Sequence, residues 1–355
     1  MGNVIAFKSA LTGPRQGTLG QLIGGFAEGR RNPEDVFWLK EVAELLGVLV
    51  ATGTPVSAQD LKPLEDFYAS LSERLRFFPQ YYRFLLSICL DLEDLGLQGD
   101  TGAQLAAWVS TEGLVDAELS DLQRAEARRL LHRRGVTLAC EGLDARLRCF
   151  IERHHTFALP NRKAAYELTH IVFYLSDYGR RDPLLDEKSK LSLIYSGLLA
   201  YLDQNFDLLA EVCTALRFAG CTPSPTWERA VASAHKGIQP TAAQPQGMQD
   251  AYHEYLVTGW ALKVAGLGGF ERLVDVAHPR FERAAPPQGV LRVMSESMYD
   301  LGPQRTDDWA KMRGPVFARL GQSGQTVMRA AEASTEHFAG FFAGFSRAPQ
   351  CAALH

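Results

Sequence analysis

Apolar residues recur every three to four positions along most of the chain, and glycines end these helical segments at regular intervals. A glycine after a helix adopts the left-handed conformation that closes the last turn. The six helix-ending glycines stand at positions 47, 96, 135, 179, 220 and 266, which are 49, 39, 44, 41 and 46 residues apart. A unit of about 40 to 50 residues is the size of a two-helix repeat. No segment alternates in polarity for long enough to indicate a strand. The sequence therefore predicts an all-α fold, an array of helical hairpins that is either open or closed into an α/α toroid.

Changes in composition divide the predicted fold into four segments. Residues 1–25 are expected to form a glycine-rich flexible leader, and residues 26–275 the α-helical hairpin array. The segment 276–303 is rich in proline and is expected to be a bent linker. Residues 304–355 are expected to form C-terminal amphipathic helices and a tail. These helices would cover the mouth of the array or join two copies of the chain in a homo-oligomer.

Charge and motif content argue against several classes of function. The chain of 355 residues has a formal net charge of −4 and no long basic run, so nucleic acid is not an expected partner. No run of about 18 apolar residues predicts a membrane span. The six cysteines include no Cys-x-x-Cys pair, which is typical of reduced thiols and favours a cytoplasmic location. Nucleotide-binding glycine motifs do not occur in the sequence.

A polar stripe, here called the seam, runs along one face of the apolar helix predicted before Gly179. The seam consists of Glu167, His170, Tyr174 and Asp177. Burying such groups costs several kcal/mol unless each finds a partner, so the seam is a candidate catalytic site. His170 would be the general acid or base, Glu167 would orient it, and Asp177 would adjust its pKa. The alternative is a hydrogen-bonded Glu–His pair that supports a helix crossing.

Two other predicted helices carry comparable polar stripes at similar distances from their terminal glycines. The stripes consist of Arg83, Ser87, Asp91 and Asp94 in one helix and of Asp207, Glu211 and Thr214 in the other. Polar stripes at one height of successive hairpins would share a common surface. We therefore expect them to line a concave face or a closed lumen, with Asp207 and Glu211 in contact with the substrate.

His253 and Asp207 are candidate metal ligands. Each stands thirteen residues before a helix-ending glycine, so the two would lie at one level of the array. Their nitrogen and oxygen atoms, with a neighbouring Glu or Cys, would bind zinc and leave a position open for water or substrate. Tyr252 and His253 would also contact the substrate. The alternative is that His253 is partly exposed and ligates nothing.

The segment Asp250-Ala251-Tyr252-His253-Glu254-Tyr255 resembles the Asp-x-Tyr-His segment of protein prenyltransferase β subunits. Hairpins of this length with polar helix starts also resemble the wider group of α/α toroids, which includes terpene cyclases and lanthionine-forming cyclases. The resemblance implies a closed toroid in which His253 binds zinc. The Asp-x-Cys partner of that family does not occur here. The central Glu-Leu-Thr-His…Asp-Tyr-Gly stretch is similar to a motif of uncharacterised bacterial proteins.

Two classes of function fit these features. The first is an enzyme with a buried acid–base or metal-assisted site that performs a cyclisation, elimination or transfer on a small, partly apolar molecule. The second is a non-catalytic helical-repeat module that binds a peptide or a protein along its concave face. An activity that is lost on His170→Ala would favour the enzyme, whereas a loss of thermal stability alone would favour the module.

Overall fold

The computed structural model describes residues 18–242, 250–270, 278–283 and 288–348, and α-helices dominate them. The all-α prediction is therefore confirmed. The α-helices are α1 (Leu19–Gly24), α2 (Val36–Ala51), α3 (Ala58–Leu61), α4 (Glu65–Phe77), α5 (Tyr82–Asp94), α6 (Thr101–Thr111), α7 (Asp121–His132), α8 (Leu143–Ile151), α9 (Arg162–Leu175), α10 (Glu187–Asp203), α11 (Phe206–Phe218), α12 (Pro225–Gly237), α13 (Tyr252–Val264), α14 (Leu291–Leu301), α15 (Trp309–Phe317), α16 (Gln322–Glu332) and α17 (Phe338–Ser346). The two strands are β1 (Ile238–Ala242) and β2 (Pro279–Arg283), which pair antiparallel.

Six helices form a circuit of contacts, here called the ring. Helix α2 packs on α5, α5 on α7, α7 on α9, α9 on α11 and α11 on α13, and α13 packs back on α2. Helices α6, α8, α10 and α12 each pack against the ring helix before them and the one after them. The sequence explains the position of α11, because a helix that is apolar on most sides must be buried on most sides. Its residues from Leu208 to Leu216 are all buried.

Glycine ends five of the six helices as predicted, and the sixth prediction is wrong. The glycines at 96, 135, 179, 220 and 266 all have positive φ, between 70° and 107°. Helix α2 instead continues through Gly47 to Ala51, and Gly53 is the glycine with positive φ after it. A glycine inside a helix costs only about 1 kcal/mol relative to alanine, so the buried apolar face that continues to Leu49 outweighs it.

Two segments differ from the expected leader and linker. Residues 1–17 lie outside the described part of the chain, but Thr18 caps α1, and Leu22 and Ile23 are fully buried. In the segment predicted as a proline-rich linker, 276–303, the structure has strand β2 and helix α14. Burial of Phe281 explains the strand, because this ring packs against Tyr255 with centroids 4.5 Å apart.

The C-terminal helices pack on the rest of the chain. Helices α14, α16 and α17 contact α10, and α17 also contacts the 3₁₀ turn His154–Ala158. The apolar side of α17 is fully buried at Phe341, Phe342 and Phe345. These contacts bury much of the apolar surface of the C-terminal helices. That surface was expected to cover the mouth of the array or to join two copies of the chain. Self-association through this end stays a prediction.

Candidate functional site

Helix α9 begins at an asparagine cap and carries Glu167, His170 and Tyr174 of the seam, whereas Asp177 lies in the turn after the helix and not on its face as predicted. The side chain of Asn161 accepts a hydrogen bond from the backbone N–H of Ala164, which satisfies a free donor of the first turn. The apolar residues Leu168 and Val172 are fully buried on one side of α9. His170 and Tyr174 lie on the side that faces the interior of the ring.

A buried carboxylate on the neighbouring helix α11 lies at the centre of the site. The side chain of Glu211 is only 3% exposed, and its Oε2 accepts a hydrogen bond of 2.6 Å from the hydroxyl of Thr169. Oε2 also lies 3.7 Å from Nε2 of His170, and Oε1 lies 3.9 Å from Nε2 of His253. One carboxylate is therefore placed between two imidazole rings that come from different helices.

The two histidines compensate the charge of Glu211. Burial by itself would raise the pKa of a carboxyl group, but His170 and His253 outweigh this effect and lower the pKa of Glu211. Burial would lower the pKa of His170, and the carboxylate of Glu211 outweighs it and raises that pKa. Glu211 is therefore ionised at neutral pH, and His170 titrates above its ordinary range.

His253 has a second carboxylate partner on α2. Its Nδ1 lies 3.2 Å from Oε2 of Glu44, at the contact where α13 meets α2. Burial would lower the pKa of His253, but Glu44 and then Glu211 outweigh it and raise the pKa to about 9. His253 is therefore an imidazolium at neutral pH. Glu44 also lies 3.7 Å from the amino group of Lys40.

These groups line a cavity of about 340 Å³ inside the ring, here called the first cavity. Each of the six ring helices contributes side chains to its wall. Apolar groups form much of the surface, including Trp260, whose ring lies 4.8 Å from that of Phe173. Polar and charged groups form the remainder, among them Arg83, which is paired with Glu126. Such a mixture of apolar walls and a few polar groups is typical of small-molecule sites.

A strained turn follows α9 at the edge of the first cavity. Asp177, Tyr178 and Gly179 have φ of 47°, 55° and 84° in succession. Left-handed backbone costs a non-glycine residue roughly 1–2 kcal/mol, so surrounding contacts must hold it. Arg129 provides two of them, because its Nε lies 2.7 Å from Asp177 and its guanidinium lies 4.3 Å from the centre of the Tyr178 ring.

The structure brings some predicted site residues together and separates others. His170, Tyr174, Glu211 and His253 line the first cavity. Glu167 does not line it and lies 3.9 Å from Lys163 on the outside of α9. Asp177 lines a neighbouring cavity. Tyr252 packs with Arg30, whose guanidinium lies 5.0 Å from its ring. Asp207 accepts a hydrogen bond from the backbone of Leu208.

The expected zinc ligands are not arranged as a metal centre within the described ranges. Among those residues, no group of three or more His, Cys, Asp and Glu side chains is placed to hold a metal ion. Asp207 acts on His253 only as a neighbouring charge that raises its pKa. Zinc binding by His253 and Asp207 stays a prediction, and the arrangement of the described residues does not support it.

Sequence reasoning missed Glu44, Glu126 and Arg129, all of which line the first cavity. The signal for Glu44 was the pair of acids at positions 41 and 44 within an apolar helix, which places two carboxylates on adjoining positions of one face. The signal for Arg129 was its place in the arginine-rich helix before Gly135.

Within the part of the chain that the structure describes, no helix has the length and apolar character needed to cross a bilayer. Comparison with curated proteins and with solved structures gave no match. One family model, described as a domain of unknown function (DUF6902), matches residues 1–348. The match agrees with the resemblance of the central motif to uncharacterised proteins, and it shows that the chain belongs to this family.

Proposed function

We propose that the chain is an enzyme that moves a proton on a small, partly apolar substrate bound inside the ring. The observation that supports the proposal is the buried Glu211 carboxylate, which lies within 4 Å of two imidazoles at the wall of a 340 Å³ cavity. Burial of the Glu211 carboxylate is unfavourable unless neighbouring groups or a ligand compensate its charge, and the two partly exposed histidines do so at the cavity wall. Clusters of titratable groups with shifted pKa values in a cavity are typical of catalytic sites.

The two histidines suit different roles. His170 has Glu211 as its partner and would act as the general base or acid, because the carboxylate orients the ring and raises its basicity. His253 carries a positive charge at neutral pH and would stabilise negative charge that develops on the substrate. Glu44 would hold His253 in place. This division fits an elimination, a cyclisation or a transfer that begins with removal of a proton.

The walls of the first cavity suit a substrate with an apolar body. Trp260, Phe173 and Val257 offer apolar surface opposite the charged groups. We further propose that the ring is an α/α toroid and that the first cavity is its lumen. This arrangement would give the reacting atoms fixed positions and few water molecules, which strengthens the electrostatic effects of the two histidines.

Proton exchange tests the proposal without requiring the natural substrate. The purified protein would be incubated in D₂O with a panel of small ketones, aldehydes and esters, and NMR would follow exchange of the hydrogen beside the carbonyl. We expect accelerated exchange of at least one compound. His170→Gln should lower that rate by roughly 10²- to 10⁴-fold, which is the usual contribution of a general base.

The matched control is His337→Gln, which removes a partly exposed histidine that pairs with Glu336 outside the first cavity. This variant should retain the exchange rate of the unchanged protein. Equal losses in both variants would contradict a role of His170 in catalysis. If no compound exchanges faster with the protein, and His170→Gln only lowers the melting temperature, the helical-repeat binding module becomes the better interpretation.

A further inference from the structure

A second cavity of about 430 Å³ lies beside the first, between α7, α8 and the strained turn after α9. Arg129, Tyr174 and Arg180 line both cavities, so these side chains form the wall between them. The proposed acid–base reaction uses none of the groups that line the second cavity alone. The proposed acid–base reaction therefore does not explain the second cavity.

Arginine dominates the lining of the second cavity. Helix α7 contributes Arg128 and Arg129, Arg133 follows directly after it, and the residues after the strained turn contribute Arg180 and Arg181. Against these five guanidinium groups, the lining contains only two carboxylates, Asp144 and Asp177. The strained turn explains the concentration of charge, because it reverses the chain after α9 and directs two consecutive arginines to the same space as α7.

Three of the arginines are compensated by carboxylates. Arg128 pairs with Asp144, and Arg129 pairs with Asp177 at 2.7 Å. Arg133 lies 2.7 Å from Asp91, on the side away from the second cavity, since Asp91 lines the first. These pairs hold three guanidinium groups in fixed positions, and they leave little net charge of their own.

The other two arginines supply the excess positive charge. Arg180 is 3.7 Å from Asp177, which it shares with the closer Arg129. Arg181 donates from Nε to the backbone carbonyl oxygen of Leu175 and forms no ion pair with any described residue. Two guanidinium groups without a carboxylate of their own therefore remain at this cavity.

We infer that the second cavity binds a doubly charged oxyanion, of which a phosphate group is the simplest. Two uncompensated guanidinium groups match the two negative charges of a phosphate monoester, and arginine presents its N–H groups in a fork that suits phosphate oxygens. The neighbouring pairs of Arg128 and Arg129 would add donors that are already held in place. The inference does not depend on the proposed enzyme activity, because no residue assigned to proton transfer takes part in it.

Isothermal titration calorimetry of the full chain in chloride buffer tests the inference, with inorganic phosphate and succinate as the two probes. We expect saturable binding of phosphate at one site, with weaker binding of succinate. Arg181→Gln removes an uncompensated charge, and Arg128→Gln leaves Asp144 unpaired at the cavity. Each should weaken phosphate binding by roughly tenfold or more, as expected for loss of a charge-assisted hydrogen bond.

Arg146→Gln is the matched control for Arg128→Gln. Both arginines join α7 to α8 through an aspartate, but the Arg146–Asp121 pair does not line the second cavity. The control should change phosphate affinity by less than about twofold, because the half-exposed Arg146 lies outside the lining and its charge is screened by salt. The inference is overturned if neither probe saturates, if succinate binds more tightly than phosphate, or if Arg146→Gln weakens binding as much as Arg128→Gln.

Discussion

His253 makes the stability of the protein depend on pH. Its pKa is about 9 in the folded chain, against an ordinary value of 6.5, because Glu44 and Glu211 outweigh burial. A raised pKa contributes stability that is fully present below pH 6.5 and is lost as the pH rises through about 9. We expect the free energy of unfolding in urea to fall by on the order of 2 kcal/mol between these values, after allowance for the partly exposed ring.

His253→Gln is the control for this pH dependence. The variant should be less stable at pH 6.5, and its stability should fall less between pH 6.5 and 9 than that of the unchanged protein, because only His170, whose pKa Glu211 also raises, then contributes to the fall. NMR of the imidazole carbons would report the pKa of His253 directly. An imidazole that titrates near 6.5 would contradict the proposed pairing with Glu44 and Glu211.

Sequence patterns predicted some of the charged residues that meet at Glu211 and missed others. His170 and Glu211 each stand nine residues before a helix-ending glycine, so their shared level was predictable, whereas His253 stands thirteen before its glycine and was expected level with Asp207. Glu44 lies inside the helix predicted before Gly47, but it was not singled out, because its partner comes from a distant part of the chain. Its contact with His253 joins positions 209 residues apart and depends on α13 meeting α2. Local periodicity contains no information about such a contact.

The turn after α9 requires glycine at position 179 for two reasons. Gly179 has a φ of 84°, and a Cβ atom there would lie 2.4 Å from the Phe218 ring. Gly220, which ends α11, has a φ of 71°, but a Cβ atom there would meet no neighbouring group within 4 Å. We expect Gly220→Ala to cost about 1–2 kcal/mol from the left-handed backbone. Gly179→Ala should cost a further 1–3 kcal/mol or so, because the ring must move.

Urea unfolding of the two alanine variants measures this difference, and the free energies should be compared at one pH. Equal destabilisation would mean that Phe218 moves aside without loss. Because the turn also places Asp177 and Tyr178, Gly179→Ala should disturb the Arg129 contacts as well. Circular dichroism should show unchanged helix content in both variants.

Helix ends were predictable because a glycine with positive φ is a local signal, and five of six were correct. The strands were not predictable in this way. Strand β1 pairs with β2 across about forty positions, with Ile238 opposite Arg283, and each strand has only five residues. Short strands leave too few alternating positions to detect, and their pairing is decided by the burial of Phe281 in the assembled chain.

At the scale of the whole molecule, Arg30 connects α2, the first helix of the ring in chain order, to the segment just before α13, the last one. Its Nε lies 2.7 Å from Glu41 of α2, and its Nη1 lies 2.7 Å from Asp250, two residues before α13 begins. All three side chains are at most 6% exposed. Arg30→Gln would leave Asp250 buried without a positive partner, while Arg31 still pairs with Glu41. We expect a loss of about 3–5 kcal/mol in the free energy of unfolding, as for other broken buried pairs.

Arg74→Gln is the matched control, because Arg74 pairs with Glu34, whose side chain is 65% exposed. This variant should cost less than about 1 kcal/mol. Hydrogen exchange distinguishes loss of the contact between α2 and α13 from a local defect around residue 30. If α2 and α13 depend on each other, Arg30→Gln should lower the protection of backbone amides in both helices together. Loss of protection in one helix alone, or a cost as small as that of Arg74→Gln, would show that the ring does not unfold as a unit.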